Sequence, residues 1–535
     1  MAHIGPSEGD TNSSPARHSW TTRLGHQTRH LLDEDERYFL HQSLSTPCLD
    51  VVGRATGATL VDLEGREILD FHGNSVHQVG YGHPKVIEAV KAELDRLPFS
   101  PRRYTNRSAI ALARRLADLA PGDLSKVLFA PSGAAAVGMA VKLARLATKR
   151  HKTVSMWDSF HGANLDTISL GGEALFRRDA GPLLPGAEHV PPLGLAERFF
   201  GTDGLAYQRL ADYIDYVLEV QGDVAAVGAE PVRWTTVTVP PTDFWARVRD
   251  SCDRHGTLLV FDEIPSCLGR TGSMFVCEQF GVTPDILVIG KGLGGGVMPL
   301  AAIVARSALD LGPEGALGHY THEKSPLGAA AALATLDVIE QEGLVARARD
   351  TGRVTLKRLA ALAGGSPILG KVRGLGMYWG VEVEPWAGRP PAEVADHLLY
   401  ACLEGGLSFK IGGGNVVTLC PPLTVSSDEL ERALGILGAA ATGLTKWGHP
   451  PPAHRYFLLI TNAYYGSLLG EQLRTPRRAC AGLSGPTNAR HERSGSGATL
   501  PGAWAEVYTL PTRAARHSYQ GFYEREGCYE GYWSG

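Results

Sequence analysis

Asp262 and Lys291 each close a short apolar run. Leu258-Leu259-Val260-Phe261 leads into Asp262-Glu263, and Ile286-Leu287-Val288-Ile289 leads into Gly290-Lys291-Gly292. Short β-branched or aromatic runs bounded by polar or glycine residues read as strands buried on both faces. Each strand then delivers a charged side chain at its carboxyl end, the edge where open α/β sheets bind ligands. A lysine amine there can form a Schiff base with an aldehyde. An acid against a pyridine nitrogen keeps the ring protonated as an electron sink. That is the chemistry of pyridoxal phosphate (PLP), and the glycines after Lys291 leave room for a flat ring. A lone Asp and Lys are read more simply as a buried ion pair in a Rossmann-like sheet, so the surrounding sequence has to decide.

Other stretches could serve the same cofactor. A strand over 127–130 passes through Pro131-Ser132-Gly133-Ala134 into a helix reaching about 149. A strand, a glycine and a helix N-terminus make an anion cradle, because free backbone N–H groups and the helix dipole point at the ligand. A strand over 152–158 ends at Ser159-Phe160-His161-Gly162, where an aromatic ring could stack on a pyridine face. A strand over 224–228 ends just before Glu230. Arg102 and Arg103 stand beside Tyr104 in a short loop. Adjacent arginines are usually solvated, but a fork of guanidinium donors also suits a dianionic phosphonate or phosphate.

The stretch from 258 to 300 closely resembles the PLP-site motif of the class III aminotransferase family. It carries D-E-[IV], then R-T-G, then P-D-[IL] before a strand, then G-K-[GA]-L-G-G-G-x-x-P-L. The resemblance implies that Lys291 is the Schiff-base and catalytic lysine, that Asp262 pairs with the pyridine nitrogen and that Ile264 packs under the ring. It places the cofactor phosphate at Gly133 and Ala134, where the family's hydroxyl and Glu are absent. Phe160-His161-Gly162 is similar to the family's [YF]-H-G, and Glu230 to the Glu of E-P-[IV]. Thr321 stands where a Thr reaches the phosphate of the neighbouring subunit, which implies a homodimer with shared sites. Asn74 stands near G-H-x-H-P, closer to the Asn-Asn of the amino-alcohol-phosphate phospho-lyases than to the usual Ser-Gly. It is a candidate substrate contact, although a turn residue explains it equally well. In those phospho-lyases an Arg-Tyr pair occupies the place of Arg103-Tyr104, which makes Arg103 the candidate for a substrate anion.

Three departures from the family pattern bear on the reaction. Thr418 stands where many members have a carboxylate-binding Arg, Trp234-Thr235 replaces Gly-Glu, and Pro265 replaces a Gln. They argue against an ordinary exchange between an amino acid and 2-oxoglutarate. The pattern from about 30 to 446 resembles the phosphonate ammonia-lyases of the family. It implies conversion of a 1-hydroxy-2-aminoalkylphosphonate to phosphonoacetaldehyde and ammonia. The alternative is an ω-aminotransferase passing an amino group from a primary amine or aminophosphonate to a keto acid.

The elements that must position these residues are mostly alternating strands and helices, which predicts an α/β chain with a mostly parallel sheet. The expected architecture is PLP-dependent transferase fold type I. It has a large domain around the central sheet and a smaller α+β domain built from N- and C-terminal segments. Residues 1–28 read as a disordered arm, 29–85 as the N-terminal segment of the small domain and 86–328 as the PLP-binding domain. Residues 329–446 read as the C-terminal small domain, and 447–535 as a disordered extension unlike the family. A short amphipathic helix is expected within 31–47, a hairpin or meander over 55–73 and a long loop over 170–204. The chain has 535 residues, 44% hydrophobic and 20% charged, with net charge −4, so no nucleic-acid or membrane partner is expected. The eight cysteines contain no C-x-x-C, and no metal site is expected. No secretion signal is read at the N-terminus, so the cytoplasm is the expected location.

Overall fold

The computed structural model describes residues 13–43, 45–312 and 315–446. The first three strands are short: β1 (Val52–Thr56), β2 (Thr59–Asp62) and β3 (Glu67–Asp70). They form the antiparallel meander expected there, with Thr56 opposite Thr59 across a turn that takes Gly57 to φ +58°.

The central sheet follows. It contains β4 (Leu124–Ala130), β5 (Lys152–Met156), β6 (Ala187–Val190), β7 (Val224–Ala229), β8 (Leu258–Asp262), β9 (Ile286–Ile289) and β10 (Ala301–Arg306). The strand order is β4-β10-β9-β8-β7-β5-β6. β10 runs antiparallel to both neighbours, and the other pairs are parallel. Helices Gly133–Thr148, Ala206–Gln221 and Phe244–His255 make crossovers between these strands. They explain why β8 and β9 read as unbroken apolar runs. Val260, Ile286 and Val288 enter a core with Ala136, Val137 and Ala140 of the first helix. Leu259, Phe261, Leu287 and Ile289 enter a second core on the other face.

The remaining strands are β11 (Leu369–Gly374), β12 (Trp379–Val383), β13 (Leu407–Ser408), β14 (Lys410–Gly412) and β15 (Val416–Leu419). Four of them form an antiparallel sheet in the order β11-β12-β15-β14. β13 instead extends the N-terminal meander, parallel to β3. The N- and C-terminal segments therefore share a sheet beside the large one. Helix Ser427–Leu444 closes the described chain and starts on a capping box between Ser426 and Glu429.

Three expectations need correction. The disordered arm does not hold for 13–28, which carry helix Pro15–Thr22 and the start of helix His26–Tyr38. Ala16, Trp20 and Leu24 recur every four residues, so they form one stripe. That stripe is buried with Ile68, Tyr400 and Leu403. Polar composition had hidden three well-spaced apolar residues. The helix expected within 31–47 starts five residues earlier and ends at Tyr38. The loop over 170–204 is partly regular, with helices Ala174–Arg177 and Ala196–Phe200 and the edge strand β6. β6 is Ala-Glu-His-Val, which shows no apolar run, and it is held by pairing with β5. Residues 1–12 of the expected arm and the extension 447–535 lie outside the described residues. Among the described residues no helix is long and apolar enough to cross a membrane.

Candidate active site

Asp262 is the last residue of β8, and Lys291 lies two residues beyond the end of β9. Because the two strands are parallel neighbours, both side chains emerge at the same sheet edge. They line one cavity of about 220 Å³ together with Gly133, Ala134, Phe160, His161, Glu230 and Ile264. Lys291 holds a left-handed φ of +45°, an uncommon conformation for a residue with a Cβ.

Asp262 is buried and both its carboxylate oxygens are engaged. Oδ2 lies 2.8 Å from His161 Nδ1, and Oδ1 accepts the Ile264 N–H at 3.1 Å. At the opposite end, helix Gly133–Thr148 opens with Ser132 as its cap, accepting the Ala135 N–H at 3.2 Å. The Ser132 hydroxyl is thus engaged locally. The helix start also presents backbone N–H groups, and neither Ala134 nor Ala135 brings a hydroxyl or carboxyl there. A Cβ on Gly133 would sit 2.8 Å from Ile264 Cδ1, so glycine is what lets this backbone reach the cavity floor.

Phe160 packs on Phe176 with ring centroids 4.5 Å apart, which leaves its other face toward the cavity it lines. Glu230 lines the cavity too, and its oxygens accept from Arg233 Nη1 at 2.6 Å and the Trp234 N–H at 2.8 Å. It also accepts the Phe160 N–H at 3.4 Å, which ties its turn to the segment after β5. Segment 74–78 supports the site from the side: a Cβ on Gly292 would touch Gln78 at 3.0 Å, and Gln78 donates to Cys267 O at 2.7 Å. Beside Asp262, Glu263 is fully buried and accepts the N–H groups of Val276 and Cys277 at 2.6 and 2.7 Å. Burial outweighs those bonds and pushes its carboxyl up to about 7.

Three expected site residues are not in the cavity wall. Asn74, Arg103 and Thr321 are exposed on this chain. The segments carrying Arg103 and Thr321 are tied together. Arg102 Nη2 lies 2.7 Å from His319 Nε2, Phe99 meets His322 edge-on at 5.1 Å, and Asn106 donates to Lys324 O at 2.9 Å.

The structure adds wall residues that the sequence had not marked as site residues: Arg233, Trp234, Thr235 and Pro265. Arg233 is 3% exposed and forms ion pairs with Glu230 at 2.6 Å, Asp158 at 3.3 Å and Glu173 at 3.8 Å. An arginine directly after the apolar Pro231-Val232 was the available signal. A larger groove of about 830 Å³ lies lined by Asp158, Tyr207, Thr236, Lys371 and Arg373, among others. It contains neither Asp262 nor Lys291, so the smaller cavity is where the chemistry belongs.

A profile of the aminotransferase class-III family matches residues 41–441. The chain belongs to the class-III aminotransferase family. It is 44% identical over 458 residues to the (R)-1-hydroxy-2-aminoethylphosphonate ammonia-lyase of Vibrio splendidus, covering 82% of this chain and 96% of that protein. It is 35% identical over 418 residues to an acetylornithine aminotransferase of Methanopyrus kandleri, covering 77% and 98%. The PLP-bound structure of an amine transaminase from an uncultivated Pseudomonas species superposes with a TM-score of 0.70 at 30% identity, covering 76% and 98%. The α/β architecture is therefore that of PLP fold type I, and PLP is the cofactor of this class-III enzyme. The residues present fit that cofactor. An acid and a lysine face one cavity, a bare helix N-terminus lies at its end, and the close approach at Gly133 leaves no side chain in the cradle.

Proposed function

We propose that this class-III enzyme is an ammonia-lyase acting on a 1-hydroxy-2-aminoalkylphosphonate, releasing phosphonoacetaldehyde and ammonia in phosphonate breakdown. The 44% identity to a protein with that activity, held over 96% of its length, carries the reading. The cavity supports it. Among the described residues its wall has two Lys or Arg side chains, Lys291 and Arg233, and Arg233 is engaged by three carboxylates. Thr418, where an arginine would bind a substrate carboxylate, is buried and donates to Thr235 O at 3.2 Å.

PLP supplies an aldehyde that captures the substrate amine and a ring that stabilises negative charge on the amine-bearing carbon. Asp262 would hold the ring nitrogen protonated, and His161, 2.8 Å from it, would orient Asp262. Phe160 and Ile264 would pack against the cofactor ring, and the backbone N–H groups at Gly133 and Ala134 would hold its phosphate. Lys291 Nζ removes the proton from the amine-bearing carbon. It returns a proton to the hydroxyl on the neighbouring carbon, which leaves as water. Hydrolysis of the remaining enamine takes up one water and yields the aldehyde and ammonia, so the atoms balance.

Enzymes of this family are typically homodimers acting on small amines. We assign Thr321 to the cofactor phosphate of a partner subunit, and Asn74 and Arg103 to the substrate. The test is incubation of the holoenzyme with the hydroxylated aminophosphonate and no keto acid. Ammonia and aldehyde should appear in equal amounts, and Lys291→Ala should abolish both. Turnover only after pyruvate or 2-oxoglutarate is added would instead support an ω-aminotransferase, the reading favoured by the likeness to the amine transaminase structure.

A further inference from the structure

Trp234 lies 7% exposed in the cavity wall, and its indole stacks flat on the fully buried Tyr378 ring, with centroids 3.6 Å apart and planes 4° from parallel. The turn that carries it is clamped by the C-terminal sheet. A Cβ on Gly412 would lie 1.6 Å from Thr235 O, and one on Gly380 would lie 2.8 Å from Val237. Thr418 donates to Thr235 O, and Arg373 Nε donates to Thr236 O at 2.9 Å. Val237 is held at φ +51°. All four strands of that sheet and the residue before β12 thus fix one aromatic residue in the wall. Thr235 and Pro265 beside it bring no cation.

We infer that the Trp234–Tyr378 stack is a specificity-determining wall that rejects substrates bearing a carboxylate on the amine-bearing carbon. An aromatic face is electron-rich and repels an anion laid on it. A carboxylate pushed into this wall loses its water and finds no partner charge. Lys291 is committed to the reacting amine and proton, and Arg233 to Glu230, Asp158 and Glu173. A 2-oxo acid carries the same carboxylate beside its carbonyl, so the wall also disfavours the acceptor that amino transfer needs. A reaction without an acceptor is unaffected. The inference deepens the proposed function and rests on it for the class of substrate.

The test uses two amines that differ only by that carboxylate, 2-aminoethylphosphonate and 2-amino-3-phosphonopropionate. Neither has a hydroxyl to eliminate, so loss of the proton on the amine-bearing carbon can be followed by NMR as deuterium uptake from solvent by the holoenzyme. Wild-type enzyme should favour 2-aminoethylphosphonate by about 100-fold or more in exchange rate. Trp234→Gly combined with Thr418→Arg should cut that preference at least tenfold. Trp234→Phe, which keeps a ring to stack on Tyr378, should preserve most of it and covers the case in which the double variant does not fold. Equal exchange of the two amines by wild type would overturn the inference, as would a preference unmoved in a folded double variant or lost in Trp234→Phe. Discrimination without ammonia release from the hydroxylated phosphonate would leave the wall standing and reject the lyase reading alone.

Discussion

His161 and Asp262, 101 residues apart in the chain, form a buried pair with Nδ1 of the ring 2.8 Å from Oδ2 of the acid. With Nδ1 as the donor, the imidazole fixes the direction in which the Asp262 carboxylate points. The side chains are 1% and 6% exposed, so little water competes for that bond.

With Asp262 in the role proposed above, Asp262→Asn removes the charge that would face the ring nitrogen and should lower turnover on the order of 10²–10³-fold, the usual effect of deleting one preorganised electrostatic group. His161→Phe leaves the charge but frees its orientation, and should cost about 10–100-fold, as for residues that orient a working group. Steady-state rates and cofactor titration of each variant separate the two. Asp262→Asn should act mainly on turnover, and His161→Phe on both turnover and cofactor affinity.

Arg233 is the hub of a buried charge cluster. Arg233→Met leaves Glu230 and Glu173, both about 5% exposed, without their cation. Breaking a buried pair from one side costs about 3–5 kcal/mol, to be read by urea denaturation. Adding Glu230→Gln to Arg233→Met should recover part of the loss, because one uncompensated charge disappears. A double variant no more stable than the single would count against the cluster as described.

Glu263 makes stability depend on pH. Its folded-state value of about 7 stands above the ordinary 4.5, so the folded protein binds this proton more tightly than the unfolded chain. The stability it adds is complete below pH 4.5 and is lost as pH rises through 7. Glu263→Gln cannot titrate, so the fall in denaturation midpoint between those limits should be shallower in the variant. Parallel curves for the two proteins would show that Glu263 stays charged on its two N–H donors.

Trp20 anchors the N-terminal helix. It is 2% exposed, donates to Leu49 O at 3.1 Å and lies under the Arg66 guanidinium at 4.7 Å. Trp20→Ala should cost about 3–5 kcal/mol in the contacts that dock this helix. Limited proteolysis should then cut within 13–28 well before the rest of the described chain. An unchanged digestion pattern would mean the helix is held by other contacts.

By itself the sequence determined most of the central strands, their mostly parallel run and the residues at their ends, but not the edge strand β6 or the antiparallel β10. Four-residue apolar runs closing on Asp262 and Lys291 leave few ways to fold once helices separate parallel strands, and both residues reach one cavity as the spacing demanded. Gly133, Phe160, His161 and Glu230 were legible for the same reason, each sitting just past a strand. Tertiary structure alone decided the rest. The Trp234–Tyr378 stack joins residues 144 apart in number, and no local pattern announces that β12 will lie behind the turn after β7. Arg233 carried no assignment in the sequence, and only folding gathers Asp158, Glu173 and Glu230 around it. The N-terminal helix was hidden because its stripe has only three apolar residues, and its stability comes from Ile68, Tyr400 and Leu403, which the chain supplies much later. Periodicity reports what a segment wants to bury, but what it is buried against depends on which distant segments meet it.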